Sequence, residues 1–317
     1  MTPGERALFQ RVHRRVADLS PDIAAAILRA MRTIAEQMTE AEIVRAIQFG
    51  QLDALFQEAA NRAARELAYQ QVREAIRRGI VDGVKYYARD LPKGGRIDGR
   101  LVVSFDVLNP RMIDAVRTLE TRVITTLDES VRETARAFVE NGLRDGVNPR
   151  TVARQLRSVI GLAPNQLLAV ENFEKALRGE NPNASPTDYL LRDRRFDRTI
   201  AKGNLTEAQI EKMVAAYRKR LIAFNAETNA RTAALDAQKL AQRLSVEDAI
   251  SKGILSRDRM RKGWFGVMDD RERETHRAME GVVVGLDEEF VLPDGKRQMI
   301  PGDNEWQCRC LARYFQK

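Results

Sequence analysis

The side chains able to bind a metal or act as nucleophiles are concentrated near the C-terminus. Cys308 and Cys310 are the only cysteines, and His276 is one of two histidines. A Cys–x–Cys pair on a strand points both thiols to one face, so His276 could supply a third ligand. Zinc accepts sulfur, nitrogen and oxygen ligands in tetrahedral geometry. A nearby aspartate would complete such a site: Asp270, or else Asp269 or Asp303.

The same residues support a purely structural interpretation, which the spacing favours over zinc. Zinc sites usually separate paired cysteines by two residues or more, and this chain has no second pair. In the structural interpretation the cysteines are small buried side chains, and Trp264 and Trp306 seal the fold. Asp270 would pair with the surrounding arginines: Arg271, Arg273 and Arg309. A Cys308–Cys310 disulfide is less expected than either, because residues two apart on a strand suit the bond geometry badly.

The sequence does not predict an enzyme. Only His13 and His276 could serve as histidine bases, and the RVHRR stretch around His13 is typical of a solvated helix face. Asp270, His276 and Glu280 could be arranged for hydrolysis, but a charged loop in a small fold explains them equally well. The sequence contains no Walker motif, no GxGxxG after a strand and no HExxH. A metal-dependent DNA-processing enzyme is kept as an alternative.

The chain is basic, which is compatible with nucleic acid nearby. It has 53 Lys and Arg against 45 Asp and Glu, a formal charge of +8. Opposite charges are interleaved, as is typical of solvated helix faces with local ion pairs. The stretch LLRDRRFDRTIAKG is the best candidate for sequence-independent contact with nucleic-acid phosphates, although Asp193 and Asp197 dilute its charge. Its arginines are Arg192, Arg194, Arg195 and Arg198.

Membrane segments are not predicted. No run of about 18 uncharged apolar residues is present, and the opening MTPGERALFQ does not read as a signal peptide. We therefore expect a protein that is made in the cytoplasm and not exported. The stretch AAAILRAMRTI with its arginines could lie on a membrane surface, but a helix packed in a bundle is the preferred interpretation.

The hydrophobic pattern predicts a mainly α protein with a multi-helix body of long helices and a small C-terminal α+β unit. Hydrophobic residues make up 44% of the chain and aromatic residues 6%, which favours helix packing over a β-sandwich. Two capping boxes, TEAE from Thr39 and TEAQ from Thr206, predict helix starts. Proline predicts further starts: Ser20–Pro21, Asn109–Pro110, Asn148–Pro149 and Pro164.

Two changes of pattern divide the chain. LPKGGRIDGR, residues 91–100, breaks the helical pattern, and LVVSFDVL after it predicts one short strand. After Gly263 the apolar residues come in short runs, and Asp294–Gly295 predicts a hairpin turn. The sequence therefore predicts three consecutive domains: a helical region at 1–90, a helical body at 101–255 and a small α+β domain at 256–317.

The C-terminal pattern resembles the phage Mu gpF-like (SPP1 gp7-like) minor head protein family. The resemblance is carried by DDRERETHRAMEG and PGDNEWQCRC and covers about two-thirds of the chain, from near Val102 to the end. Family members commonly have Asn before the first Cys, where this chain has Gln307. The matching positions form the signature: Trp264, Asp270, Arg271, Arg273, His276, Arg277, Gly281, Pro301, Trp306, Cys308, Arg309 and Cys310.

The resemblance implies a minor capsid protein, made in the host cytoplasm and located in the virion, inside the head near the portal vertex. It implies a role in head assembly, DNA packaging or genome delivery. The implied partners are the portal protein, a major capsid or scaffold protein, and packaged double-stranded DNA bound without sequence preference. Residues 1–90 lie outside the resembling part, so we expect them to carry virus-specific docking. A DNA-binding protein ejected with the genome is a further alternative.

Overall fold

The computed structural model describes residues 2–57, 59–90, 110–181, 183–303 and 305–317, without the side chains of residues 59–61, 90 and 111. The break predicted at 91–100, the strand predicted at 101–108 and the cap Asn109 lie outside the described residues. Within the described ranges the protein is mainly α, with a small C-terminal sheet, which confirms the predicted fold class.

The helices among the described residues are α1 (Pro3–Gln37), α2 (Glu40–Gln48), α3 (Leu52–Gln57), α4 (Ala59–Tyr87), α5 (Pro110–Arg144), α6 (Pro149–Leu156), α7 (Pro164–Leu177), α8 (Asp197–Ala201), α9 (Glu207–Ser251) and α10 (Glu274–Arg277). The strands are β1 (Met260–Phe265), β2 (Val283–Gly285), β3 (Phe290–Val291), β4 (Arg297–Gln298) and β5 (Leu311–Gln316). Over the ranges that the structure describes, no helix combines the length and the apolarity needed to cross a bilayer.

Helix α1 runs without interruption past Pro21, so the helix start predicted at Ser20–Pro21 is wrong. The Ser20 hydroxyl donates to the carbonyl of Val16 (2.6 Å) instead of capping a new helix. Proline inside a helix costs about 3 kcal/mol, because it removes a hydrogen bond and clashes with the preceding turn. Burying an apolar stripe on both sides of Pro21 outweighs this cost: Val12, Val16, Ile23, Ile27 and Ile34.

The remaining helix starts that lie within the described residues are confirmed. At Thr39 the capping box with Glu42 is complete: the Glu42 amide donates to the Thr39 hydroxyl (3.2 Å), and the Thr39 amide donates to the Glu42 carboxylate (2.9 Å). Asn148 accepts a hydrogen bond from the Arg150 amide (2.9 Å) before α6. The other starts follow at Pro110, Pro164 and Thr206.

The chain forms two compact units, each discontinuous in sequence. The first comprises Met1–Ile23, Arg73–Val123 and Asn229–Lys317, and the second comprises Ala24–Val72 and Ile124–Thr228. Helices α1, α4, α5 and α9 each contribute residues to both units. The three consecutive domains expected from the sequence stay a prediction.

The second unit is helical. Its buried apolar residues include Ile43 of α2, Phe56 of α3, Val131 of α5 and Phe173 of α7. The Thr134 hydroxyl donates to the carbonyl of Leu162 (2.8 Å), which satisfies a buried polar group.

The first unit holds a three-stranded antiparallel sheet in the order β2–β1–β5. Strand β1 pairs Gly263 with Val283 of β2 and Phe265 with Leu311 of β5. Strands β3 and β4 form a hairpin whose turn has Gly295 at a φ of 81°, so the hairpin predicted at Asp294–Gly295 is confirmed. The sheet, the hairpin and α10 enclose a buried cluster: Trp264, Met279, Phe290, Leu292, Cys308 and Cys310.

Candidate functional site

Cys308, Cys310 and His276 lie together in the first unit, and all three are buried. The Sγ atom of Cys308 is 3.3 Å from Nδ1 of His276, and Sγ of Cys310 is 3.6 Å from the same nitrogen. Both cysteines are free thiols. The fold therefore directs two sulfur atoms and one ring nitrogen, separated by about 30 residues in sequence, to a common point.

The cysteines are positioned by strand β5, which begins directly after them at Leu311. Leu311 pairs with Phe265, so the segment before β5 enters the core alongside the end of β1. Successive side chains of extended chain point to opposite sides. Arg309, between the cysteines, accordingly reaches away from them and donates to the carboxylate of Asp269 (2.7 Å).

His276 is held by the short helix α10 and the reversal that follows it. Gly281, at a φ of 79°, turns the chain back so that its amide donates to the carbonyl of Trp264 (2.9 Å). The His276 ring packs edge-on against Trp264, with 5.3 Å between ring centroids. Arg277 ties the preceding loop by donating to the carbonyl of Asp269 (3.0 Å). These contacts fix the imidazole with Nδ1 toward the thiols.

The aspartate that pairs with Arg309 is Asp269, and not Asp270 as the sequence predicted. The hydrogen bond from Arg309 lowers the pKa of Asp269 to about 2. Asp270 is exposed and lies outside the group of possible metal ligands found among the described residues. Asp303 pairs with Arg122. The three aspartates considered as a fourth ligand are thus absent from that group.

Glu272 supplies a carboxylate that the sequence analysis missed. Its Oε1 accepts a hydrogen bond from the Cys310 thiol (2.8 Å) and lies 3.9 Å from Nδ1 of His276. Only 4% of its side chain is exposed. Gly266 leaves room for the carboxylate, because a Cβ there would be 3.3 Å from the carboxylate carbon. No spacing rule pointed to Glu272, because it lies in the bend before α10 and not on the helix.

The two tryptophans behave differently. Trp264 is buried, 1% exposed, and contacts Phe290 edge-on with 5.3 Å between centroids. Trp306 is 46% exposed, so the expectation that it seals the fold is wrong. Trp306 contributes through its backbone carbonyl, which accepts a hydrogen bond from Arg273 (2.8 Å). Arg271 is exposed, and its amide donates to Asp269 (3.0 Å).

The surroundings of the two thiols shift their pKa values in opposite directions, so that Cys308 is deprotonated more readily than Cys310. The hydrogen bond from Cys310 lowers the pKa of Cys308, and the charge of Lys239 and the hydrogen bond with His276 act in the same direction. The hydrogen bond with Cys308, together with burial, raises the pKa of Cys310. The side chains are 4% and 0% exposed, which closes them to a dissolved substrate. A buried thiolate of this kind suits a ligand or a packing role better than a nucleophile.

Helix α9 closes the other side of Cys308. The buried Lys239 ammonium donates to the Cys308 carbonyl (3.2 Å). Burial raises the pKa of Asp236 to about 6, against the opposing charges of Lys239 and Arg122. Gly302, at a φ of 71°, packs directly on the thiol, because a Cβ there would be 2.2 Å from Sγ of Cys308. Lys239, Asp236 and Gly302 could not be predicted from the sequence, because only the folded structure shows that they lie near Cys308.

His13 is not on a solvated face, contrary to the sequence-based interpretation. It is half-buried, and its ring lies 3.9 Å from that of Phe9, centroid to centroid. Burial lowers its pKa to about 4, and the charges of Arg309 and Lys239 add to the effect. His13 is therefore a neutral packing residue at neutral pH.

The four arginines proposed for DNA contact divide into two pairs. Arg192 is bound to Asp197 (2.9 Å), and Arg195 is bound to the buried Asp193 (2.6 Å). Arg194 and Arg198 are exposed and have no ion-pair partner within the described part of the chain. The fold thus leaves two of the four guanidinium groups available to an external anion.

The comparison with protein families finds a match in the C-terminal part of the chain. Residues 194–313 match the family described as phage Mu protein F like protein. This range, which we call the Mu F-like segment, includes α9, strands β1 to β4 and the first three residues of β5. The resemblance inferred from Trp264 to Cys310 is therefore confirmed, over a shorter range than the two-thirds expected. No curated protein and no solved structure matches the chain.

Proposed function

We propose that this protein is a minor component of the phage head, located inside the head near the portal vertex, where it assists head assembly, DNA packaging or genome delivery. The observation that carries the proposal is the match of residues 194–313 to the Mu F-like family. A phage head family implies location in the virion. The proposed partners are the portal protein and a major capsid or scaffold protein.

The chemistry of the first unit agrees with an assembly role without catalysis. The thiols and His276 are buried, and the strongest charge pairs around them join segments of the same chain, such as Arg309 with Asp269. These contacts stabilise a rigid unit. We therefore propose that the protein acts by binding, and that the Mu F-like segment is a scaffold for contact surfaces.

A DNA contact is a second proposal. It is favoured by the exposed guanidinium groups of Arg194 and Arg198, which have no ion-pair partner among the described residues, and by the formal charge of +8. Contact with phosphates requires no base reading and suits a protein surrounded by packaged genome.

Co-expression tests the portal assignment. The tagged chain is produced with the portal protein and, separately, with the major capsid protein encoded by the same genome, and the complexes are analysed by size exclusion and cross-linking mass spectrometry. We expect a stable complex with the portal protein and cross-links from residues 1–90. Retention by the capsid protein alone, with none by the portal protein, would contradict the assignment.

A further inference from the structure

We propose that Cys308, Cys310, His276 and Glu272 form a structural zinc site that fastens the end of the chain to α10. The proposal goes beyond the proposed function, because it concerns how the C-terminal unit is held together and holds whether or not the protein binds a portal.

The distances among the ligand atoms fit a tetrahedral ion. With Zn–S near 2.3 Å and Zn–N near 2.0 Å, the edge between a sulfur and a nitrogen ligand of a tetrahedral site spans about 3.5 Å. The two observed separations between sulfur and Nδ1 of His276 are 3.3 and 3.6 Å. The two sulfur atoms and Nδ1 of His276 therefore lie near the spacing of a zinc site, all within 4.8 Å of one another.

Glu272 offers a carboxylate beside two of these atoms, but it lies outside the group whose ligand atoms are all within 4.8 Å of one another, so its side chain would have to shift to become the fourth ligand. Its carboxylate oxygen is 2.8 Å from Sγ of Cys310 and 3.9 Å from Nδ1 of His276. Among the described residues, no Lys or Arg lies within ion-pair distance of this carboxylate, and His276 would pair with it only when protonated. A carboxylate buried beside the Cys310 thiol is costly unless a cation compensates it. A divalent ion between them supplies that charge.

The orientation of His276 agrees with ligation through Nδ1. Its Nε2 is buried without a hydrogen-bond partner among the described residues, so Nδ1 is the nitrogen that faces other ligand atoms. The ring is fixed by Trp264, and the Cys308 carbonyl is fixed by Lys239, so both ligands are held by their surroundings. Ligands held in this way lose little freedom on binding a metal.

The alternative is that the thiols are simply buried apolar side chains. That account gives no reason for a carboxylate and an imidazole to converge on them. It predicts a folded protein that takes up no metal, which makes the two accounts separable.

The test uses the full chain, purified under reducing conditions with zinc present and passed over a desalting column. We expect about one zinc per chain by elemental mass spectrometry. Replacing zinc with cobalt should give the strong visible bands of a tetrahedral ion and a thiolate-to-cobalt charge-transfer band. A chelator should lower the Tm, and zinc should restore it.

Variants assign the ligands. Cys308→Ser, Cys310→Ser and His276→Gln should each abolish the tetrahedral cobalt spectrum, and Glu272→Gln should weaken zinc binding at least about tenfold. Asp270→Asn is the matched control, because it also removes one carboxylate from this loop, and it should retain full zinc content.

If a cysteine variant does not fold, the metal content and the cobalt spectrum of the wild type still decide whether the site binds zinc. A folded wild-type chain that holds no zinc and gives no tetrahedral cobalt spectrum would overturn the proposal. An unchanged affinity for zinc in Glu272→Gln would overturn the assignment of Glu272 as the fourth ligand.

Discussion

The Arg309 guanidinium lies 2.7 Å from the Asp269 carboxylate, joining the residue between the two cysteines to the loop that precedes α10. This pair lies on the outer side of the segment whose inner side carries the thiols. It therefore sets the direction in which the thiols point and links two segments 40 residues apart.

The first prediction concerns the choice between two adjacent aspartates. Asp269→Asn should lower the Tm, because it removes the charge that Arg309 contacts, whereas Asp270→Asn should leave the Tm unchanged. Differential scanning fluorimetry of the two variants beside the wild type is sufficient. Equal effects of the two substitutions would show that Asp269 has no special role.

The second prediction concerns Gly302. Gly302→Ala should destabilise the first unit more than Gly295→Ala, because its new Cβ would meet the Cys308 thiol at 2.2 Å while Gly295 has open space around it. Both glycines have positive φ, 71° and 81°, so the backbone cost of about 1 to 2 kcal/mol is shared. The clash should add about 2 kcal/mol at position 302.

Urea unfolding followed by tryptophan fluorescence measures this difference, since Trp264 lies in the same cluster as Cys308. Similar losses for the two alanine variants would indicate that Cys308 moves away without cost, and the packing described around it would then be wrong.

The third prediction is a pH dependence from His13. Its pKa is lowered from 6.5 to about 4 in the fold, so protonation favours the unfolded chain. Stability contributed by the neutral ring is complete above about pH 6.5 and is lost as the pH falls toward 4. With allowance for solvent screening, the loss is about 1 to 2 kcal/mol.

His13→Leu keeps an apolar side chain beside Phe9 and cannot be protonated. The Tm difference between the wild type and this variant should therefore change between pH 7 and pH 4.5, with the wild type losing more on acidification. A constant difference across that range would rule out a buried neutral His13.

The fourth prediction concerns DNA. Arg194→Ala with Arg198→Ala should weaken binding to random double-stranded DNA and reduce the slope of log K against log salt by up to about 1.8, or 0.9 for each lost phosphate contact. Fluorescence anisotropy over a salt series gives both quantities. Arg14→Ala with Arg32→Ala is the control, because it removes the same charge from other exposed positions. An equal loss of DNA affinity in both double variants would show that only the net charge matters and that Arg194 and Arg198 form no specific contact.

The helix pattern was predictable where local chemistry decides it. Thr39, Asn148 and Pro164 mark helix starts because their capping groups act within a few residues. Pro21 misled the sequence reasoning for the opposite reason, since its local preference to start a helix is overridden by burial of Val16 and Ile23 on either side.

The sequence predicted the two cysteines and the histidine of the site, but not the carboxylate and the lysine that surround them. Cys308, Cys310 and His276 are rare residue types, so the sequence alone drew attention to them. Whether Asp270 or Glu272 faces inward depends on the turn before α10, which no spacing rule fixes. The approach of Lys239 to Cys308 spans 69 residues and depends on how α9 packs.

We propose that this protein, through its Mu F-like segment, is part of the phage head near the portal vertex. The most direct measurement is a cryo-EM reconstruction of DNA-filled heads, computed without imposed icosahedral symmetry and supported by mass spectrometry of the same particles. We expect density that fits the long helices α1, α5 and α9 on the inner side of the portal. The chain's absence from purified heads, or its presence only on the outer shell away from the portal, would contradict the account.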